Sequence, residues 1–176
     1  MRLLVESPRR SATQAPGARI ILIQGLPRLS RMDWLVEKVT EVGVSVLVPV
    51  VARRSPPEAR RAAGRLPRWR KIAREACRQC GRAELPEIQE PIPSSETWSR
   101  WGRRGRCALL DPEAPGGLPA WLASDGASHW AVAVGPEGGW DEGEQDRARA
   151  AGFVPVALGP RTLRAETAGL LAVATV

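Results

Sequence analysis

The chain has 176 residues, 43% of them hydrophobic, with 26 Lys and Arg against 19 Asp and Glu and a formal net charge of +7. That length suits one domain with a sizeable core, and the apolar fraction excludes a disordered chain. The basic balance points to a polyanionic partner, nucleic acid first, and no apolar run reaches the roughly 20 residues that a membrane-spanning helix needs.

Residues 1–18 read as a leader or the remnant of an upstream unit, and 19–176 as one domain. The start lacks the apolar core of a secretory signal, so the expected location is cytoplasmic. Ile20–Gly25 reads as a buried strand ending in a turn. Ser30 is expected to cap a helix reaching Val42, with Met32, Leu35, Val36, Val39 and Val42 as its apolar stripe. Gly43 follows where a left-handed residue is wanted. Val46–Val51 is a second apolar strand, and the basic, Pro-rich stretch from Arg53 to Leu66 reads as a loop.

Pro67 opens a second helix that Gly81 ends. Trp69, Ile72, Ala73, Ala76, Cys77 and Cys80 share one face, and Arg68, Arg70, Lys71, Arg74 and Arg78 the other. Cys107–Asp111 is a short strand, and Pro112–Ser128 a loop with one helical turn at Trp121. Trp130–Gly135 has no polar alternation, which marks a strand buried on both faces. Asp141 with Glu144 makes a capping pattern for a helix to Ala151. Val154–Leu158 is another strand, and Glu166–Val176 an apolar helix whose residues Ala168–Val173 and Val176 cover most of its circumference. Strands alternating with helices argue for an α/β domain with a mostly parallel sheet and helices on both faces.

Cys77, Cys80 and Cys107 form an odd set, which suits reduced thiols. Cys77 and Cys80 have metal-site spacing, but no second pair exists and His129 is the only histidine. Core packing is the expectation for both cysteines, and no metal is expected. Two Gly-rich loops follow buried strands: Gly135-Pro136-Glu137-Gly138-Gly139 and Gly159-Pro160-Arg161. Ligands of open α/β sheets bind beyond the carboxyl ends of strands, and glycine lets backbone amides come close. Neither loop is a dinucleotide or triphosphate fingerprint. The ligand is therefore expected to be held mainly by backbone groups, as an adenosyl moiety can be, near the polar cluster of Arg161, Arg164, Glu166 and Thr167.

The stretch VAVGPEGGWDEGEQDRARAAGFVPVALGPRTLRAETAGLLA resembles the C-terminal signature of the RsmE family of SPOUT methyltransferases. Two earlier segments match that family with similar spacing: LPRLSRMDWLVEKVTEVGV, with Lys38 to Gly43, and KIAREACRQCGRAELPEI. Cys80 stands where the family commonly has serine. The resemblance covers roughly Ile20 to Val176. It implies a deep trefoil knot at the C-terminal end, bound S-adenosylmethionine, a homodimer, and methylation of uridine N3 in RNA of the small ribosomal subunit. Family members also carry an N-terminal β-barrel of the PUA-like type, of which this chain has at most the last residues.

By that resemblance, Gly135, Pro136, Glu137, Gly138, Gly139, Leu158 and Gly159 line the cofactor pocket. Leu163, Arg164, Ala165, Thr167 and Ala168 close it, with Leu110 as a wall. Arg164 and Glu166 are the expected catalytic residues. A base such as Glu166, or water, takes the N3 proton, and Arg164 stabilises the developing negative oxygens. The alternative is that Arg164 and Glu166 pair with each other. The face of Arg70, Lys71, Arg74, Arg78 and Arg82, with Gln79 as a lesser candidate, is the expected RNA-backbone patch, or else a solvated surface. The seven tryptophans are core or interface by default, with Trp98 or Trp101 as a possible stacking platform. Two other readings remain open: a related enzyme acting on another RNA such as tRNA, and a non-catalytic RNA-binding relative.

Overall fold

The computed structural model describes residues 19–102, 105–123 and 129–176. The segment expected to be a leader, 1–18, lies outside them. In chain order the elements are β1 (Arg19–Gly25), α1 (Leu29–Glu41), β2 (Val46–Val51), a 3₁₀ helix (Pro57–Arg65), α2 (Leu66–Cys80), β3 (Glu87–Ile88), β4 (Ile92–Pro93) and α3 (Ser94–Trp101). There follow β5 (Arg106–Leu110), α4 (Leu118–Ala123), β6 (His129–Val134), α5 (Glu142–Ala150), β7 (Phe153–Val156) and α6 (Ala165–Thr175).

The strands form one sheet in the order β3-β2-β1-β6-β5-β7, with β4 also pairing β2. Every pairing between these strands is parallel. The alternation of strand side chains divides the core in two. Ile20, Leu22, Leu47, Ala108 and Val132 face the layer that includes α1, α2 and α6. Ile21, Ile23, Val46, Val48, Leu109 and Ala131 face the opposite layer, where α3 and α5 supply Trp98, Trp101 and Ala148. Apolar residues on both faces of β1, β2 and β6 are what a covered parallel sheet requires.

Local signals account for most boundaries. Gly43 and Gly81 take left-handed φ values of 102° and 77° just beyond α1 and α2. Pro67 sits in the first turn of α2. Asp141 and Glu144 close a full capping box on α5, with Glu144 N donating to Asp141 Oδ1 at 2.6 Å and Asp141 N to Glu144 Oε2 at 2.9 Å.

Several expectations are corrected. Ser30 lies inside α1; Arg28 holds the cap position without a side-chain bond. The stretch expected as a loop after Arg53 contains the 3₁₀ helix, whose Ala59 and Ala62 are buried beneath exposed arginines. Cys80, the last residue of α2, is exposed, and Cys77, one turn earlier, is buried. Within the chain, α6 buries one stripe, Ala165, Glu166, Gly169, Ala172 and Val173, and leaves Leu171 42% exposed. Trp98 and Trp101 are not stacking platforms. Both are core residues, and Trp98 meets Trp140 and Phe153 edge to face at 5.0 and 5.3 Å.

Candidate functional site

A cavity of about 680 Å³ opens at the carboxyl ends of β5 and β6, beside the start of α6. This is the edge of a parallel sheet where ligands bind. Of the residues expected at a cofactor, Leu110, Gly135, Pro136, Glu137, Gly139, Leu163, Arg164, Ala165 and Ala168 line it. Gly138, Leu158, Gly159 and Thr167 are not among its lining residues.

The loop after β6 lines the cavity with Gly135, Pro136, Glu137, Gly139 and Trp140, and glycines set its path. Gly25, at the end of β1, leaves no room for a Cβ: one placed there would lie 2.5 Å from Pro136 Cδ and 2.6 Å from Pro136 N. The strand end and the loop backbone are thus in direct contact. Gly139 closes a turn on Pro136 O at 2.8 Å with φ 69°, and the space where its Cβ would point is open. Gly138 is pressed against Arg54, whose Cβ would lie 2.9 Å from an added Cβ. The constraint at Gly138 is therefore the arginine beside it.

Arg54 was not anticipated. It follows β2 and donates from Nη1 to Gly138 O at 3.2 Å and Trp140 O at 3.4 Å, which ties the first half of the chain to the loop. The signal was available in principle: β2 is parallel to β1, so its carboxyl end reaches the same edge. Glu144, fully buried, uses its other oxygen, Oε1, to accept from Arg53 N at 2.9 Å. The loop is clamped from two sides before any ligand arrives.

Arg164 is exposed at the N-terminal cap of α6 and lines the cavity. Glu166, two residues on, is 4% exposed and is not among the lining residues. Its Oε1 lies 3.6 Å from Arg31 Nε of α1. Its Oε2 is buried with no hydrogen-bond partner, as is Gln24 Oε1 of β1. The ion pair recorded for Glu166 is thus to Arg31, not to Arg164. The carboxylates that line the cavity are Asp111, Glu113 and Glu137.

The basic face of α2 is mixed. Arg74, Arg78 and Gln79 are exposed. Arg70 reaches Ile88 O at 3.4 Å, Lys71 lies 3.8 Å from Glu75, and Arg82 donates to Thr40 O at 3.1 Å, holding the end of α1. No group of three His, Cys, Asp or Glu that could hold a metal occurs among the described residues. Among them, too, no helix is long and apolar enough to cross a membrane.

The sequence pattern of the RNA methyltransferase domain matches residues 13–176. The chain belongs to the RNA methyltransferase domain family. The ribosomal RNA small subunit methyltransferase E of Bacillus subtilis (strain 168) is 31% identical over 166 residues, which span 90% of this chain and 65% of that protein. The protein of the same name from Aquifex aeolicus is 33% identical over 157 residues, 89% of this chain and 67% of its own length. The crystal structure of the Neisseria gonorrhoeae protein bound to S-adenosyl methionine superposes with a TM-score of 0.80 at 37% identity, over 89% of this chain and 64% of that one. The chain therefore spans about two thirds of the length of these relatives. Its fold is that of this methyltransferase family, a parallel α/β sheet covered on both faces.

Proposed function

We propose that this chain is the catalytic part of an S-adenosylmethionine-dependent methyltransferase acting on N3 of a uridine in small-subunit ribosomal RNA. One observation carries the reading: the cavity at the ends of β5 and β6 has the size of a small-molecule site and is lined by Gly135, Pro136, Glu137 and Gly139 of the Gly-rich loop together with Leu163, Arg164, Ala165 and Ala168 at the start of α6. The open space at Gly139, with the loop already fixed by Arg54 and Glu144, fits an adenosyl ligand held by main-chain groups. Leu110, Leu163 and Ala168 offer apolar contacts, and the main chain of Gly135, Glu137 and Gly139 the polar ones. S-adenosylmethionine supplies a sulfonium-bound methyl group for in-line displacement.

The residues of the chain do the rest. The loop and the start of α6 orient both reactants, and alignment is the largest contribution to such a transfer. Arg164 stabilises the negative oxygens that develop as N3 loses its proton. Glu166, held by Arg31 behind the cavity wall, fixes the first turn of α6 and so the position of Arg164. The N3 proton leaves to water at the open mouth of the cavity. Methyl transfer then forms the N3–C bond as the S–C bond breaks, and the sulfur keeps that electron pair.

Titration calorimetry with S-adenosylmethionine and labelled-methyl transfer to small ribosomal subunits test this. Binding followed by a single 3-methyluridine in the RNA is the expected result. Binding with methyl transfer only to tRNA would move the substrate, and no binding would remove the enzyme reading.

A homodimer belongs to the same proposal. Its support is that α1 and α6 pack together, and that each leaves a large apolar side chain outside, Trp34 at 41% and Leu171 at 42% exposure.

A further inference from the structure

A second cleft, of about 620 Å³, lies beside the cofactor cavity. The two share a wall made of neighbouring residues: Arg54 and Trp140 line the first, Arg53 and Asp141 the second. Three guanidinium groups, those of Arg53, Arg60 and Arg147, open on this second cleft. Its two carboxylates are already engaged. Glu144 is fully buried and accepts from Arg53 N and Asp141 N. Asp141 accepts from Glu144 N and lies 3.5 Å from Arg53 Nη1. Arg60 and Arg147 are exposed, and among the described residues neither has a carboxylate within 4.0 Å. The cleft is thus lined by cations whose neighbouring anions are spent on holding the loop.

The segment that enters this cleft and continues into α2 is also strongly basic in sequence. From residue 53 to residue 82 the chain has eleven Lys and Arg against two Glu. That excess starts at the sheet edge where the methyl acceptor must enter. A nucleotide whose base enters the cofactor cavity carries its own and its neighbours' phosphates outside, against the adjoining wall. Arginine is well matched to phosphate oxygens, which it can bind by paired N–H bonds.

Resting on the reading of the chain as an RNA methyltransferase, the geometry points to this cleft, lined by Arg53, Arg60 and Arg147, as the seat of an RNA backbone phosphate flanking the target nucleotide. The basic face of α2 is then the outer part of the surface, and the cleft the part that places the substrate. Neither Arg60 nor Arg147 lines the cofactor cavity, so their removal separates RNA placement from cofactor binding.

The test is the double variant Arg60→Ala with Arg147→Ala, set beside Arg74→Ala with Arg78→Ala on α2. Affinity for a short single-stranded RNA is measured by fluorescence anisotropy across a salt series. S-adenosylmethionine affinity and thermal unfolding are measured on the same preparations, and wild-type methyl transfer to small subunits is run alongside. The cleft variant is expected to lose about tenfold or more in RNA affinity, and its salt slope to fall by about 0.7, the contribution of one phosphate contact to a single strand. Its cofactor affinity and melting point stay at wild-type values. Unchanged RNA affinity and slope in the cleft variant, with a wild-type chain that binds RNA and methylates subunits, overturn the cleft alone. A wild-type chain that neither binds RNA nor transfers a methyl group overturns the reading beneath it.

Discussion

Gly25 does not line the cavity at the ends of β5 and β6, yet its lack of a side chain shapes it. A Cβ at this position would overlap Pro136 backbone and side chain, which have little freedom to move. Gly25→Ala should therefore displace the loop from Gly135 to Gly139, destabilise the fold by about 1–3 kcal/mol, the usual cost of overpacking, and weaken S-adenosylmethionine binding. Urea unfolding and calorimetry check both effects; full-strength binding by a folded variant would show that the loop tolerates the shift. The cysteines offer a second test at this scale. Burial pushes the Cys77 thiol up, with Arg82 opposing that and Cys80 adding to it, so Cys77 stays protonated at mildly alkaline pH. Its folded value exceeds its unfolded one, so its contribution to stability is full below the unfolded value and fades as pH rises towards the folded one. Alkylation at about pH 8 should mark the exposed Cys80 first and spare buried Cys77 and Cys107 until the chain unfolds, as peptide mass spectrometry can read.

Between elements, the informative contact is that of α1 with α6 through Arg31 and Glu166. Removing Arg31 leaves a buried carboxylate without its cation, although the half-exposed arginine and screening by water limit the loss. Arg31→Ala should cost about 1–2 kcal/mol of stability and raise the KM for cofactor, with Arg31→Lys restoring part of each. Glu166→Gln should keep most of kcat. A fall beyond about a hundredfold, the scale of general-base catalysis, with an unaltered KM would instead give Glu166 the proton. Which elements could be read beforehand follows from the range of their signals. The buried strands, the capping box at Asp141 and Glu144, and the glycines ending α1 and α2 are written within a few residues each. Helix α3 was hidden because Ser94–Trp101 mixes polar residues with tryptophans over barely two turns, too few for a 3.6-residue period to stand out. The 3₁₀ helix was hidden by the prolines and arginines that mark loops. At the site, the strand-end glycines announced the loop, whereas Arg54 and the Arg31–Glu166 pair depend on contacts between segments that are distant in sequence.

For the molecule as a whole, the exposed Trp34 and Leu171 give a test of assembly. If α1 and α6 form the contact between two copies, Trp34→Glu with Leu171→Glu should convert a dimer to a folded monomer in analytical ultracentrifugation, because charge at the centre of an apolar interface is costly. A wild-type chain already monomeric at micromolar concentration would exclude that assembly. The order of the sheet has a consequence in time. Its central seam joins β1 to β6, with Arg19 paired to His129 and Gln24 to Val134, so the two halves meet only after about 110 intervening residues have been arranged. Closing so long a loop must precede the contacts that reward it, which slows refolding towards the millisecond-to-second range of non-local topologies. The cavity at the ends of β5 and β6 draws on Arg54 from one side of that seam and on β5, β6 and α6 from the other, so it does not exist until the seam has closed. S-adenosylmethionine present from the start of refolding should accordingly raise the final native fraction and slow unfolding, while leaving the stopped-flow refolding rate unchanged.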